Sequence, residues 1–134
     1  MGNVVFTNGC FDVLHMGHLH LLEMCLKIAG EDGRVIVGLN SDDSVKRLKG
    51  PSRPVNKFEH RAAMLEAMTV VDTVLLFEED TPYKLIESIR PDFIVKGGDY
   101  EPNEVVGRDI ADVIIVRLIP QESTTAFIER VKRL

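Results

Sequence analysis

Thr7-Asn8-Gly9-Cys10-Phe11-Asp12-Val13-Leu14-His15-Met16-Gly17-His18 is the junction on which the fold turns. Upstream, Asn3 to Thr7 is a short apolar run that reads as a buried strand. Downstream, Gly17 to Ala29 carries Leu19, Leu22, Leu26 and Ala29 at helical spacing, with Gly30 as terminator. A strand passing through a polar, glycine-bearing turn into a helix is the opening of a β-α-β unit. The alternation continues along the chain. Arg34 to Leu39 is a second β-branched run, and Asn56 is placed to cap a helix from Lys57 to about Met68, with Glu59 completing a capping box. Thr73 to Phe77 is a third strand. Thr81-Pro82 opens the next helix, with Thr81 as N-cap and Pro82 at the first helical position. Phe93 to Lys96 and Val113 to Leu118 are two more strands, and a helix runs from Ser123 or Thr124 to Arg133.

This order predicts an α/β, Rossmann-like fold: a five-stranded parallel sheet joined by right-handed crossovers, with helices on both faces. Ligands of such sheets sit beyond the carboxyl ends of the strands. Three polar clusters fall there: Asn8-Gly9-Cys10, Asn40-Ser41-Asp42 and Gly97-Gly98-Asp99. The loop from Lys49 to Asn56, with Gly50, Pro51 and Pro54, is expected to be the most mobile segment.

Composition sets the bounds. A chain of 134 residues, 45% hydrophobic and 28% charged, predicts one domain over 1–134 whose core needs no disulfide or metal. A formal net charge of -5 argues against a nucleic-acid partner. Cys10 and Cys25 form no Cys-x-x-Cys pair and read as free thiols of a reducing compartment. With no signal peptide and no apolar run near the roughly 20 residues of a membrane span, the expectation is a soluble cytoplasmic protein without a membrane partner. No Gly-x-x-x-x-Gly-Lys-Ser/Thr is present, which excludes a P-loop kinase, and the first turn lacks the Gly-x-Gly-x-x-Gly of dinucleotide enzymes.

The chemistry sits at the first helix. His15 and His18 are three apart, so a helix beginning near Gly17 turns both imidazoles to one side of its first turn. That turn exposes unpaired N–H groups and the positive dipole end, a ready phosphate site, and Gly17 lets a phosphate approach the backbone closely. The plain alternative is two surface histidines. A zinc pair on a helix prefers i, i+4 spacing and a third ligand, and neither is evident. The basic run Lys46, Arg47, Lys49, Arg53 stands beside the Asn40 cluster and reads either as solvated surface or as a phosphate site. Gly97-Gly98-Asp99 reads either as a tight turn or as part of the crevice. Ser123, Thr124 and Thr125 are placed to cap the last helix and offer hydroxyls to phosphate.

Gly9-Cys10-Phe11-Asp12 followed by His15-Met16-Gly17-His18 resembles the Gly-x-Phe-Asp and His-x-Gly-His signature of the cytidylyltransferase-like nucleotidyltransferases. The similarity runs on through Lys46-Arg47-Leu48-Lys49-Gly50, Ser52-Arg53-Pro54-Val55-Asn56, Glu59-His60-Arg61, Phe77-Glu78-Glu79-Asp80-Thr81-Pro82 and Val95-Lys96-Gly97-Gly98-Asp99-Tyr100. The later segments are most similar to the adenylyltransferase domain of bifunctional ADP-heptose synthases; glycerol-3-phosphate cytidylyltransferase is a near relative. The resemblance implies in-line attack of an acceptor phosphate on the α-phosphorus of an NTP, with pyrophosphate leaving and no covalent enzyme intermediate.

On that resemblance, His15, His18 and Lys49 are the expected catalytic residues. Thr7, Gly9, Cys10, Phe11, Gly17, Gly97, Asp99, Ser123, Thr124 and Thr125 join the histidines in binding nucleotide. Lys46, Lys49 and Arg61 are expected to bind the acceptor and pyrophosphate phosphates. Mg²⁺ accompanies the triphosphate, the partners are small molecules, and a homodimer is the family expectation. Two departures stand out: Gln121-Glu122 precedes Ser123 where relatives carry glycine, and the stretch from Gly107 to Val113 is short. Three readings follow: adenylyl transfer to a heptose 1-phosphate, cytidylyl transfer to a polyol phosphate such as glycerol 3-phosphate, and an inactive nucleotide-binding sensor or partner protein.

Overall fold

The computed structural model describes residues 2–98, 100–117 and 124–134. The expected α/β architecture is present. Among the described residues, β1 (Val4–Gly9), β2 (Arg34–Asn40), β3 (Thr73–Phe77), β4 (Phe93–Gly97) and β5 (Asp112–Val116) form one parallel sheet in the order β3-β2-β1-β4-β5. The helices are α1 (Met16–Ala29), α2 (Asp42–Lys49), α3 (Phe58–Glu66), α4 (Tyr83–Ile89) and α5 (Thr124–Lys132), with a 3₁₀ turn at Pro102–Glu104. No helix among the described residues is long and apolar enough to cross a membrane.

Alternation along β1 divides the core between the two faces of the sheet. Val5 joins Leu22, Cys25, Val35, Val37, Leu65 and Val95 on the side covered by α1 and α3. Phe6 points the other way, to Ile86 of α4, Ile94 and Val105. Gly38 makes room for it: a Cβ there would lie 2.7 Å from the Phe6 ring.

The strand order decides where a ligand can go. The chain builds outward from β1 to β3, then returns to the opposite side of β1 for β4 and β5. β1 and β2 stay paired from Val4–Arg34 to Gly9–Leu39, but β1 and β4 pair only at Val5–Phe93 and Phe6–Ile94. Past those pairs the two strands part, and a crevice opens at their carboxyl ends, the switch point of an open α/β sheet.

Several local expectations are corrected. α2 was not anticipated: it is eight residues long, with only Val45 and Leu48 apolar. Its ends nonetheless carry helix chemistry, since Ser41 Oγ accepts from Ser44 N–H at 3.1 Å, Asp42 and Asp43 fill the first turn, and Lys46, Arg47 and Lys49 the last. Asn56 does not cap α3. The N-cap is Lys57, without a side-chain bond, and the Phe58 N–H donates instead to Asp42 Oδ1 of α2 at 2.9 Å, so no Asn56–Glu59 box forms. α4 likewise starts one residue later than expected, with Pro82 rather than Thr81 at the N-cap position. β5 ends at Val116; Leu118 and Ser123, the expected limits of β5 and the last helix, lie outside the described residues.

Candidate active site

A cavity of about 400 Å³ occupies the crevice, lined by Asn8, Gly9, Cys10, Phe11, His15, Gly17 and His18 from the β1–α1 junction, among others. The junction is a strained turn. Phe11 and Val13 have φ of 44° and 52°, a region that β-branched valine enters only under compulsion. The compulsion is visible. Asp12, 3% exposed, accepts the Val55 and Asn56 N–H groups at 2.6 and 2.9 Å, while Arg61 Nη1 donates to the Cys10 carbonyl at 2.9 Å.

The turn delivers the two histidines as a reciprocal cap on α1. His15 is the N-cap, and its Nδ1 accepts from Gly17 N–H at 3.0 Å. His18 Nδ1 accepts from His15 N–H at 3.2 Å. Two imidazoles thus take the parts that Ser/Thr and Glu play in an ordinary capping box. A neutral ring whose Nδ1 accepts carries its proton on Nε2. Each histidine is therefore held in the tautomer that offers Nε2–H as a donor. The rings lie 3.9 Å apart between centroids, and Phe11 packs on His18 at 5.1 Å. Burial, with the adjacent His15 second, lowers the His18 pKa to about 4, so the ring is neutral at physiological pH.

The same cavity is lined by Lys49 at the end of α2, Arg53, and Lys96 from β4. Burial lowers the Lys96 pKa, the charge of Lys49 adding to the effect, and its Nζ stands 5.2 Å from the Tyr100 ring centroid. Arg53 Nη2 donates to Thr125 Oγ1 at 3.3 Å, joining the loop to the start of α5. Burial raises the Cys10 pKa, outweighing the lowering by Lys49 and Arg61, and keeps the thiol protonated.

Of the expected site residues, the fold gathers Gly9, Cys10, Phe11, His15, Gly17, His18, Lys49 and Thr125 around this cavity. Others it does not bring in. Thr7 is completely buried in β1, its hydroxyl without a partner among the described residues, and does not line the cavity. Gly97, paired with Val116 at the end of β4, and the exposed Lys46 of α2 do not line the cavity. Arg61 is corrected most sharply. It is 1% exposed, and its guanidinium donates to Asn56 O, Cys10 O and Asp42 Oδ1 at 2.9, 2.9 and 2.7 Å. These bonds all go to the scaffold, and Arg61 does not line the cavity. Asp99, Ser123 and the Thr124 side chain lie outside the described residues.

Lys96 and Tyr100 line the cavity without having been expected as site residues. For Lys96 a signal existed: a lysine ending an otherwise apolar strand, Phe93-Ile94-Val95-Lys96, at the edge where ligands bind.

Known proteins match this arrangement along most of the chain. The model of the family described as cytidylyltransferase-like matches residues 6–129. The bifunctional protein HldE of Sulfurimonas denitrificans is 55% identical over 131 residues, which cover 96% of this chain and 27% of that protein. HldE of Nitratiruptor sp. is 51% identical over 130 residues, covering 96% and 28%. The chain thus spans little more than a quarter of the length of these relatives. Among solved structures, the lipopolysaccharide core biosynthesis protein from Thermoplasma volcanium aligns with a TM-score of 0.71 at 27% identity, over 89% of this chain and 98% of that one. Pantothenate synthetase from Thermus thermophilus, at 18% identity and a TM-score of 0.58 over 87% of this chain and 56% of its own, is alike in fold alone.

Proposed function

The chain belongs to the cytidylyltransferase-like family, and from that premise we propose that it transfers the adenylyl group of ATP to a sugar phosphate, a heptose 1-phosphate foremost, releasing pyrophosphate. The observation that carries the reading is the pair of Nε2–H donors fixed by the His15–His18 cap at the rim of a cavity also lined by Lys49, Arg53 and Lys96. A phosphate oxygen of the acceptor attacks the α-phosphorus. The bond from that phosphorus to the bridging oxygen of the β-phosphate breaks, and pyrophosphate leaves with the electron pair. Such a step asks for alignment and for donors aimed at the oxygens where charge gathers.

His15 and His18 supply neutral donors to the triphosphate at the helix N-terminus, where the α1 dipole adds its field. Lys49 meets the acceptor phosphate or the departing pyrophosphate as a mobile point charge. Cys10, protonated by its burial, stays out of the bond-making. Magnesium enters with the substrate as MgATP. The donor set fits an ion carried on phosphate oxygens: of the cavity carboxylates, Asp12 is engaged by two backbone N–H groups and Asp80 by Arg47.

Adenylyl transfer is preferred over cytidylyl transfer because the relatives at about 50% identity are HldE proteins, in line with the similarity to ADP-heptose synthases. The test is a pyrophosphate-release screen crossing ATP and CTP with heptose 1-phosphates and glycerol 3-phosphate. Release with ATP and a heptose 1-phosphate is the expected result. Release confined to CTP and glycerol 3-phosphate hands the reading to the polyol enzymes. Nucleotide binding with no release for any acceptor makes the chain a sensor.

A further inference from the structure

Asn40, the last residue of β2, lines the cavity although it is only 3% exposed. The transfer step described above makes no use of it. Its side chain is not free to turn, because a relay of hydrogen bonds holds it. Asn40 Nδ2 donates to Ser44 Oγ at 3.0 Å, and Ser44 Oγ donates to the Glu79 carbonyl at 3.1 Å. Ser44 is completely buried in α2, and its own N–H is tied to Ser41 Oγ at 3.1 Å. The relay joins the end of β2, the first turn of α2 and the segment after β3.

Counting protons fixes the orientation of the amide. A carbonyl oxygen only accepts, so the single hydroxyl proton of Ser44 is spent on Glu79. Towards Asn40, Ser44 Oγ can then only accept, and the group that faces it has to be the NH₂. Oδ1 is thereby turned away from Ser44. It takes no hydrogen bond from the described residues. Among those residues, Thr7 Oγ1 is the one fully enclosed side-chain polar atom without a partner. Asn40 Oδ1 is therefore not sealed in the interior, and the open space that Asn40 borders is the cavity.

An acceptor is out of character in this wall. His15, His18, Lys49, Arg53 and Lys96 all offer donors, which suits phosphate. Phosphate oxygens are themselves acceptors and gain nothing from an amide oxygen; a hydroxyl does. An uncharged oxygen also takes that hydroxyl without the repulsion that a carboxylate would bring to a triphosphate.

We propose that Asn40 is a specificity-determining residue whose Oδ1 accepts a hydrogen bond from a substrate hydroxyl, and that Ser44 is the positioning residue that keeps this oxygen turned to the cavity. The inference rests on the proposed transfer reaction, in which hydroxyls come from two sources, the ribose of ATP and the sugar of the acceptor. A buried acceptor left unpaired penalises any analogue that lacks the hydroxyl.

Calorimetric titration of the full chain reads the contact. ATP, 2′-deoxyATP and 3′-deoxyATP form one arm. A heptose 1-phosphate, titrated beside a non-hydrolysable ATP analogue, forms the other. Asn40→Leu removes the oxygen at nearly constant volume, and thermal melting checks that the variant is folded. If the ribose is the source, Asn40→Leu weakens ATP about tenfold, the scale of one hydrogen bond, while one deoxy analogue binds wild type and variant within about twofold of each other. If the acceptor is the source, the heptose 1-phosphate weakens about tenfold and ATP shifts less than about twofold. Ser44→Ala frees the amide to turn; it should weaken that same ligand about threefold or more and leave the other within about twofold. It also carries the comparison if Asn40→Leu does not fold. Unchanged affinities in both arms overturn the proposal. So does equal weakening of ATP and both deoxy analogues, since the lost partner is then no hydroxyl. Binding of neither substrate by the wild type overturns both readings; otherwise they fail separately. Asn40-dependent binding without pyrophosphate release sinks only the transfer reaction, and release with affinities unmoved in both variants sinks only the role of Asn40.

Discussion

Two polar clusters stand at the same edge of the sheet, and they spend their hydrogen bonds in opposite ways. At the N-terminus of α1, each histidine accepts a backbone N–H at Nδ1, and both residues line the cavity. Around Arg61, three guanidinium donors meet three internal acceptors that belong to the β1 turn, the α2 start and Asn56, the residue before the α3 N-cap. The first cluster lines the cavity. The second gives three of its five N–H donors to the protein itself. A charged side chain in a phosphate-binding motif is thus read by what its donors already hold. The two are also coupled, because Arg61 and Asp12 hold the strained turn that sets His15 in place.

The largest effect should come from the Arg61 cluster. Removing one member of a buried ion pair costs about 3–5 kcal/mol, and Asp42, a third exposed, can recover some of that through water. Arg61→Ala is expected to lose about 3 kcal/mol of stability in urea unfolding. Arg61→Lys should recover little, since a point charge cannot reach three acceptors in one plane. A stable Arg61→Ala protein with a raised acceptor KM would return Arg61 to the substrate and erase the contrast.

His18→Ala is the mirror experiment. It deletes one donor to the triphosphate, and turnover should fall at least about 100-fold, as for an oxyanion-hole donor. Stability should fall by only about 1 kcal/mol, the usual worth of a helix cap. Near-wild-type kcat would dissolve the proposed mechanism.

The contrast also explains what could be read in advance. Apolar runs parted by polar turns gave away the strands, and β3 and α1 fall within a residue of their expected bounds because burial on one face imposes a period that composition records. The histidine pair was legible since i, i+3 spacing at a helix start is itself geometry. α2 was hidden by its brevity and its two apolar residues, although its Ser41 cap and charge order were in view. Strand order was not legible: nothing local states that β4 returns beside β1, so the crevice that admits Lys96 appears only in three dimensions. Arg61 misled for a related reason. Its three acceptors come from positions 5, 19 and 51 residues away, and a linear motif cannot count them.

The histidine cluster should betray itself in pH dependence. His18 has its pKa lowered to about 4, against an ordinary 6.5. Below 6.5 the unfolded chain therefore binds a proton that the native ring refuses, and stability falls as pH drops towards 4. At 1.36 kcal/mol per unit, the loss between pH 6.5 and 5 is about 2 kcal/mol. His18→Gln keeps a side chain suited to the reciprocal cap and does not titrate, so its stability should fall by about that much less over the same interval. Parallel curves for the two proteins would mean that the ring is protonated as readily in the native state as in the unfolded chain.

The smallest contrast lies within one helix. Lys46 and Lys49 are three residues apart on α2, carry the same charge and belong to the same motif, yet only Lys49 lines the cavity. If proximity to phosphate governs, Lys49→Gln should raise the acceptor KM about tenfold, the loss of one charge-assisted contact, while Lys46→Gln changes it less than about twofold, as expected of a screened surface charge. If instead the net positive field of α2 draws substrate in, the two variants should behave alike and both effects should shrink as salt is added. Comparing the pair at low and high ionic strength decides between contact and field, a distinction that either variant alone leaves open.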